Sequence, residues 1–408
     1  MTHVLLLATF FVVHVFGASR VALDQSVAEC GKAGHAGYIV ELNRNAATVI
    51  SSDPMERLTH LVGDGDHGGK IYRKLSRSRV AVAAQMDTVA LDKLLARPDI
   101  ESIKADCIIE LDPDEMMAPN NGRHMVRHRQ LQQTAEAWGI DRVDQRDLPL
   151  DNLYDNSGST GDGALVYVLD TGVRITHEDF GDRAEGGWSA QCETIDAPGC
   201  GSNWNYRGIV TDATPSCSGH GTHCASTIGG IKYGISNGVT IVTVQVLSCG
   251  GSGATSGIEA GIEWAVEDSK ERGKPAVLSM SLGGGGGGRF DRIINWAYDE
   301  GVVTVVAAGN SNDDACNYSP ASTPNAITVG STESTDTKSG FSNYGRCVDI
   351  HAPGSFIKAA WSTGDDSTNT ISGTSMACPH VAGVAAQIRA DHPELLPGEV
   401  WDRATTEY

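Results

Sequence analysis

Ala164-Leu165-Val166-Tyr167-Val168-Leu169 is an unbroken apolar run that ends on Asp170-Thr171-Gly172. An apolar run without polar alternation is the pattern of a strand buried on both faces, as in a parallel sheet. The pattern returns at 239–247, 276–282 and 302–308, with helix-compatible stretches at 255–271 and 291–298 between them. Shorter strand patterns fit 327–329 and 348–350. Strands alternating with helices predict an α/β fold with an open, mostly parallel sheet and helices on both faces. Active groups in such sheets lie at the carboxyl ends of strands. Asp170 follows its strand directly, and Asn310 follows the run that ends at 308.

Two further segments carry chemistry: Gly219-His220-Gly221-Thr222-His223 and Gly373-Thr374-Ser375-Met376-Ala377. Together with Asp170 they supply a carboxylate, an imidazole and a hydroxyl. A serine hydroxyl is a poor nucleophile until a base takes its proton, and the histidine base needs a carboxylate to fix its tautomer and stabilise its charged form. Other readings of the same residues are weaker. Asp-Thr-Gly also marks aspartic proteases, but those need two such carboxylates and the chain has one such motif. His220 and His223 could ligate a metal, yet no further ligand cluster follows them. Ser375 opens a helix-like stretch, 375–389, and could be a plain N-cap. Pro379 is compatible with that helix only in its first turn.

With their flanking residues these motifs resemble the subtilisin-like serine proteases (the subtilase family), most closely the proteinase K branch. The chain order Asp, His, Ser is that family's order. The resemblance covers roughly Trp138 to the end. It implies Asp170, His220 and Ser375 as the catalytic set. Asn310, in Ala307-Ala308-Gly309-Asn310, would be the amide that stabilises the developing oxyanion. It implies substrate-binding edges at Gly251 and Ser252 on one side and at Ser281, Leu282 and Gly283 on the other, with Ala308 and Gly309 lining the pocket. An extended peptide would gain main-chain hydrogen bonds between those edges. The glycine run 283–288 is expected to be a mobile pocket rim. It is no phosphate loop, since no Lys-Ser/Thr follows. The resemblance also implies a structural calcium ion held by the carbonyls of Pro324 and Ala326 and by Asp349, all hard oxygen donors. No catalytic cofactor is expected. Only 33 residues follow Ser375, so the last elements that relatives use to close the domain are expected to be missing.

Composition bounds the rest. The net charge of the 408 residues is −20. Residues 134–408 carry 16 Lys+Arg against 35 Asp+Glu, so the acidic excess belongs to that part. Nucleic acid is an unsuitable partner, because phosphate binding needs basic patches. The stretch from Val4 to Phe16 is apolar except for Thr9 and His14 and is too short to span a bilayer, which predicts a secretory signal cleaved after Gly17. In a secreted chain disulfides are the default state of the ten cysteines. Spacing alone does not give connectivity. The resemblance implies Cys217–Cys249 and Cys316–Cys347. Cys192 and Cys200 flank a Pro-Gly turn and are close enough to pair, and Cys30 can pair with Cys107. Cys224, four residues after His220, is expected as a free inward-facing thiol, and Cys378 as a small buried apolar residue.

The predicted organisation is a signal peptide at 1–17, a small α+β domain at 18–112 resembling a propeptide inhibitor, a linker with a maturation site at 113–133, and a catalytic domain at 134–408. The expected function is a secreted serine endopeptidase, made as a self-processing zymogen and acting through an acyl-enzyme. Its partners would be protein and peptide substrates and its own propeptide. It would be a monomer with no membrane association after signal removal. The alternative is a catalytically silent subtilisin-like binding protein.

Overall fold

The computed structural model describes residues 20–43, 53–63, 68–116, 133–156, 158–190 and 217–406. The apolar N-terminal stretch, Cys192 and Cys200, and residues 117–132 of the expected linker lie outside the described residues. The chain divides into two units: Met1–Ile109 with Ala254–Ala260, and Glu110–Gly253 with Gly261–Tyr408.

In the first unit a helix at 20–29 precedes β1 (His35–Leu42), α1 (Pro54–Val62), β2 (Lys70–Leu75), β3 (Ala81–Gln85), α2 (Thr88–Leu95) and β4 (Ile100–Glu110). The four strands pair antiparallel in the order β4-β1-β3-β2. The helix starts are encoded locally. Asp53 accepts the Met55 N–H at 2.9 Å with Pro54 next in line, and Asp87 accepts the Ala90 N–H at 2.8 Å. Leu58, Leu61 and Val62 of α1 and Leu91 and Leu94 of α2 then bury together with Val40, Leu42, Val82 and Ile103. Each such side chain is worth about 1.5–3 kcal/mol against exposure. Cys30 and Cys107 are bonded, with Cα atoms 5.0 Å apart.

The second unit is built on seven parallel strands: β5 (Leu165–Asp170), β6 (Ala184–Ser189), β7 (Thr240–Gln245), β8 (Ala276–Met280), β9 (Val303–Ala307), β10 (Ile327–Thr332) and β11 (Ile350–Pro353). Their spatial order is β11-β10-β9-β8-β5-β7-β6. Parallel register runs throughout, for example Val277 beside Val166 and Val166 beside Ile241. Every residue of β5 is buried, which is why its sequence shows no polar alternation. After β5 the chain builds β6 and β7 on one side and β8 onward on the other. The reversal falls at the carboxyl end of β5, where ligand crevices form in open α/β sheets. The helices are α3 (His220–Gly229), α4 (Thr255–Arg272), α5 (Asp291–Asp299), α6 (Thr374–Asp391) and α7 (Pro397–Thr406). α6 packs on α3 and across β8 to β11, and its residues from Thr374 to Arg389 are all buried. A helix apolar or small on every side belongs in such a place.

One expectation about α6 needs correction. The helix begins at Thr374 with Gly373 as N-cap, so Pro379 lies in the second turn rather than the first. Proline lacks the N–H that would bond the carbonyl four residues back. That carbonyl belongs to Ser375, and it accepts instead from Ser281 Oγ at 2.9 Å and from Cys224 Sγ at 3.4 Å. The orphaned acceptor is thereby satisfied from β8's extension and from α3.

Cys217 pairs with Cys249 and Cys316 with Cys347, while Cys224 and Cys378 are free and buried. Among the described residues no helix is long and apolar enough to cross a membrane.

Candidate active site

Asp170 closes β5 and is fully buried. Its Oδ1 accepts the N–H of Thr171 at 2.6 Å, and both carboxylate oxygens lie 2.9 Å from Nδ1 of His220. His220 is the first residue of α3, and the neighbouring Gly221 makes this approach possible. A Cβ there would lie 2.4 Å from the Gly172 carbonyl and 3.1 Å from Asp170. Burial works against a charged imidazole, but the Asp170 carboxylate and the neighbouring Cys224 together more than offset it, and the pKa of His220 stands well above its ordinary 6.5. His223 faces elsewhere. Its Nε2 donates to the Ile357 carbonyl at 3.0 Å, and burial brings its pKa down to about 3. It is a neutral, buried histidine. Among the described residues the one cluster with metal-ligand spacing is Asp170, His220 and Cys224. Its carboxylate and imidazole are already bonded to each other, and burial raises the pKa of the Cys224 thiol.

Asn310 follows β9 by three residues. Its Oδ1 accepts both the N–H and the Oγ1–H of Thr374, each at 2.9 Å. Those two donors fix the amide's orientation, so Nδ2 turns toward the cleft. Thr374 Oγ1 in turn accepts the Gly309 N–H at 3.0 Å. Nothing in the Gly-Thr-Ser-Met-Ala motif signals the role of Thr374, and only the fold reveals that it orients Asn310.

Ser375 lies in the first turn of α6 and is 4% exposed. Its Oγ donates to Glu115 Oε2 at 2.9 Å, and Nδ2 of Asn310 donates to Glu115 Oε1 at 2.9 Å. Glu115 Oε2 is also 3.5 Å from Nε2 of His220, a ring nitrogen with no hydrogen-bond partner. The fold therefore brings Asp170, His220, Ser375 and Asn310 together around one carboxylate that sequence reasoning did not single out. Glu115 lies within a short 3-10 turn, Pro113–Met116.

The expected substrate edges line the same cleft, of about 370 Å³. Ser281, Leu282, Gly283, Ala308 and Gly309 all contribute to its walls. Opposite, the Gly251 carbonyl accepts the Leu111 N–H at 2.9 Å, so an extended segment already bonds to that edge. Ser252 closes a turn with Ser248, whose N–H donates to its carbonyl at 2.7 Å. Apart from Glu110, Asp112 and Glu115, no charged side chain among the described residues lines the cleft. The glycine run is not the loose rim expected. Gly284 and Gly285 pair with Ser319 and Tyr318, Gly286 N–H donates to the Asn317 carbonyl at 3.0 Å, and Gly288 N–H donates to Ser322 Oγ at 3.1 Å. Without side chains of their own, the glycines are held through their main-chain groups, by the backbone of 317–319 and by Ser322 Oγ. A larger cavity, about 640 Å³, is lined by Arg142, His351, His380 and Ala404 and holds none of these groups.

Pro324, Ala326 and Asp349 offer three oxygen donors of the type that hard cations take. The Asp349 carboxylate accepts the Thr328 N–H at 2.8 Å and a hydrogen bond from the Trp401 side chain. Partial desolvation of the carboxylate raises its pKa, and no basic side chain offsets that effect. Asp349 is exposed, and its carboxylate suits a hard cation by charge as well as by donor type.

A family model described as the subtilase family matches residues 161–406. The chain is 41% identical over 367 residues to the alkaline serine exoprotease A of Vibrio alginolyticus, covering 89% of this chain and 62% of that protein. It is 42% identical to the extracellular serine proteinase of Thermus sp. (strain Rt41A), over 82% of this chain and 72% of that one. It is 34% identical to the cuticle-degrading serine protease of Arthrobotrys oligospora, over 96% and 91% of the two. Among solved structures, a cold-adapted subtilisin-like serine proteinase matches with a TM-score of 0.57 and 47% identity, over 65% of this chain and 89% of that chain.

Proposed function

The chain belongs to the subtilase family of serine proteases, and from that premise we propose that it is a secreted serine endopeptidase made as a self-processing precursor. The observation that carries the catalytic part is the convergence of Ser375 Oγ and Asn310 Nδ2, each at 2.9 Å, on the two oxygens of one carboxylate. The oxygen held by Asn310 Nδ2 marks the position in which a substrate's carbonyl oxygen would develop negative charge, beside the Ser375 nucleophile.

In this reading Ser375 Oγ attacks the scissile carbonyl carbon while its proton passes to Nε2 of His220. Asp170, on Nδ1, holds the imidazole in the required tautomer and stabilises the imidazolium. Asn310 Nδ2 and the amino-terminal end of α6 stabilise the oxyanion. The imidazolium returns the proton to the leaving amine, and water then hydrolyses the acyl-enzyme by the same route. Substrate would lie between the edge at Gly251 and Ser252 and the edge at Ser281, Leu282 and Gly283, with Ala308 and Gly309 under its side chain. No metal or organic cofactor is needed for these steps.

Residues 18–112 would be the propeptide, 113–133 the segment cut on maturation, and 134–408 the catalytic domain. Three disulfides among the described residues suit an oxidising compartment, and the Thermus relative is named as extracellular. The alternative of a silent binding protein lacks support from the site, where none of the four reacting groups is replaced.

The direct test is hydrolysis of chromogenic peptides with varied P1 residues. Because no basic-selective acid belongs to the pocket walls, apolar or aromatic P1 should exceed Arg by roughly tenfold or more in kcat/KM. A strict requirement for Arg at P1 contradicts this pocket. The acidic limb of kcat/KM tests the base. Only neutral His220 can accept the proton, so a raised pKa moves that limb upward in pH. Its midpoint is expected above 6.5, and a midpoint below that value excludes His220, as bonded here, as the base.

We assign a structural calcium ion to Asp349 and the carbonyls of Pro324 and Ala326, where it would supply the missing positive charge. Calcium at a hundredfold excess over its dissociation constant should stabilise the folded state by about 3 kcal/mol. Asp349→Asn should abolish the calcium-dependent rise in Tm. An equal rise in wild type and variant would place the ion elsewhere.

A further inference from the structure

We propose that Glu115 is an intramolecular latch. Its side-chain carboxylate occupies the oxyanion position of the uncut precursor, holds Ser375 apart from His220, and sets the rate at which the precursor becomes active. This rests on the serine-protease reading above and deepens it by naming a regulatory residue of that site.

Three observations carry it. First, the group at the reacting centre is a side chain and not the peptide bond to be cut. Ser375 Oγ donates to Glu115 Oε2 at 2.9 Å, and Asn310 Nδ2 donates to Oε1 at 2.9 Å. A carboxylate is a poor electrophile, so this pose resists attack while using the donors that attack needs. Both bonds go to an acceptor that can carry full charge, the stronger class of hydrogen bond.

Second, the same carboxylate stands between nucleophile and base. Oε2 lies 2.9 Å from Ser375 Oγ and 3.5 Å from His220 Nε2, and that nitrogen makes no hydrogen bond. The proton transfer that activates Ser375 cannot begin until the carboxylate withdraws.

Third, the local chain is built to aim Glu115 inward. The Leu111 N–H bonds the Gly251 carbonyl at 2.9 Å, which seats the segment on the substrate edge. The chain then turns: the Glu115 N–H donates to the Asp112 carbonyl at 3.1 Å, and Asp112 Oδ1 accepts the Asp114 N–H at 3.1 Å. Glu115 is 2% exposed as a result. Gly373 leaves the room it needs, since a Cβ at 373 would collide with Glu115 Oε1.

Self-cleavage of the segment therefore requires two movements in order: release of Glu115, then entry of a peptide carbonyl into the vacated position. The test measures the first. Intact precursor is mixed with a fluorophosphonate, which reacts with an activated serine by forming an O–P bond and expelling fluoride. The rate of labelling of the uncut precursor band is followed alongside its half-time of self-cleavage. Wild-type mature enzyme sets the unlatched rate. Glu115→Ala precursor should label about tenfold or more faster than wild-type precursor and self-cleave sooner. Glu115→Gln, which keeps the shape and loses the charge, should fall between and carries the test alone if the alanine variant misfolds. Equal labelling of wild-type and variant precursors, with fast labelling of mature enzyme, would overturn the latch and leave the protease reading intact. No labelling of mature enzyme would remove that reading, and the latch with it.

Discussion

Ser375→Ala is expected to lower kcat by about 10⁶-fold, the scale found for loss of the nucleophile in subtilisin. The size follows from what alanine removes. Among the described residues the neighbouring hydroxyl is not free to attack: Ser281 Oγ is committed to the Ser375 carbonyl at 2.9 Å. The buried thiol of Cys224 is engaged with that carbonyl too, and its pKa is raised by burial. A residual rate of about 10³–10⁴ over water should survive from Asn310 and substrate binding. His220→Ala should cost nearly as much, and the double variant little more, because the groups act as a unit. Stability should barely change, since Oγ bonds only Glu115 and, at 3.4 Å, the Ser281 carbonyl. Steady-state kinetics together with the Tm of the same preparation check both halves.

Asp170→Asn is expected to cost about 10⁴-fold in kcat with the fold preserved. The substitution keeps the shape of a fully buried side chain and an oxygen for the Thr171 N–H at 2.6 Å. It changes what faces His220. A carboxylate 2.9 Å from Nδ1 accepts a proton-bearing nitrogen there and leaves Nε2 as the base. An amide can present its NH2 group instead, which places the imidazole proton on Nε2 and leaves no acceptor for Ser375. Loss of the carboxylate also lowers the imidazole pKa, so the acidic limb of kcat/KM should move down in pH as kcat falls. Full activity in Asp170→Asn would mean that His220 takes its tautomer from another group.

How much of this was legible beforehand depended on where the information lay. β5 announced itself, because burial on both faces leaves an unbroken apolar run and Asp170 marks its end. The same holds for β8 and β9. By contrast β2 reads Lys-Ile-Tyr-Arg-Lys-Leu, three basic residues in six, and nothing local signals that Arg73 and Leu75 are buried by the sheet. β6 contains adjacent glycines and was equally silent. The second-turn position of Pro379 escaped because its tolerance depends on Ser281 and Cys224, which the fold supplies from other elements. The site divides the same way. The Asp, His, Ser and Asn positions sit in short motifs whose residue types carry their chemistry. Glu115 sits in an acidic stretch, Asp112-Pro113-Asp114-Glu115, that reads as solvated linker, and its contact with Ser375 spans 260 residues. Thr374 was visible but mute, since its role is to orient an amide from another strand.

The central claim, that Ser375 becomes covalently acylated during turnover, is tested most directly by a burst experiment on mature enzyme. A nitrophenyl ester of an apolar acylated amino acid is mixed with enzyme, nitrophenol release is followed through the first turnover, and an acid-quenched sample is mapped by mass spectrometry. The account predicts a burst of one nitrophenol per active chain and an acyl group on the peptide that contains Ser375. An acyl group found on another residue, or steady turnover with no burst and no adduct at Ser375 under conditions where deacylation is slow, would contradict it.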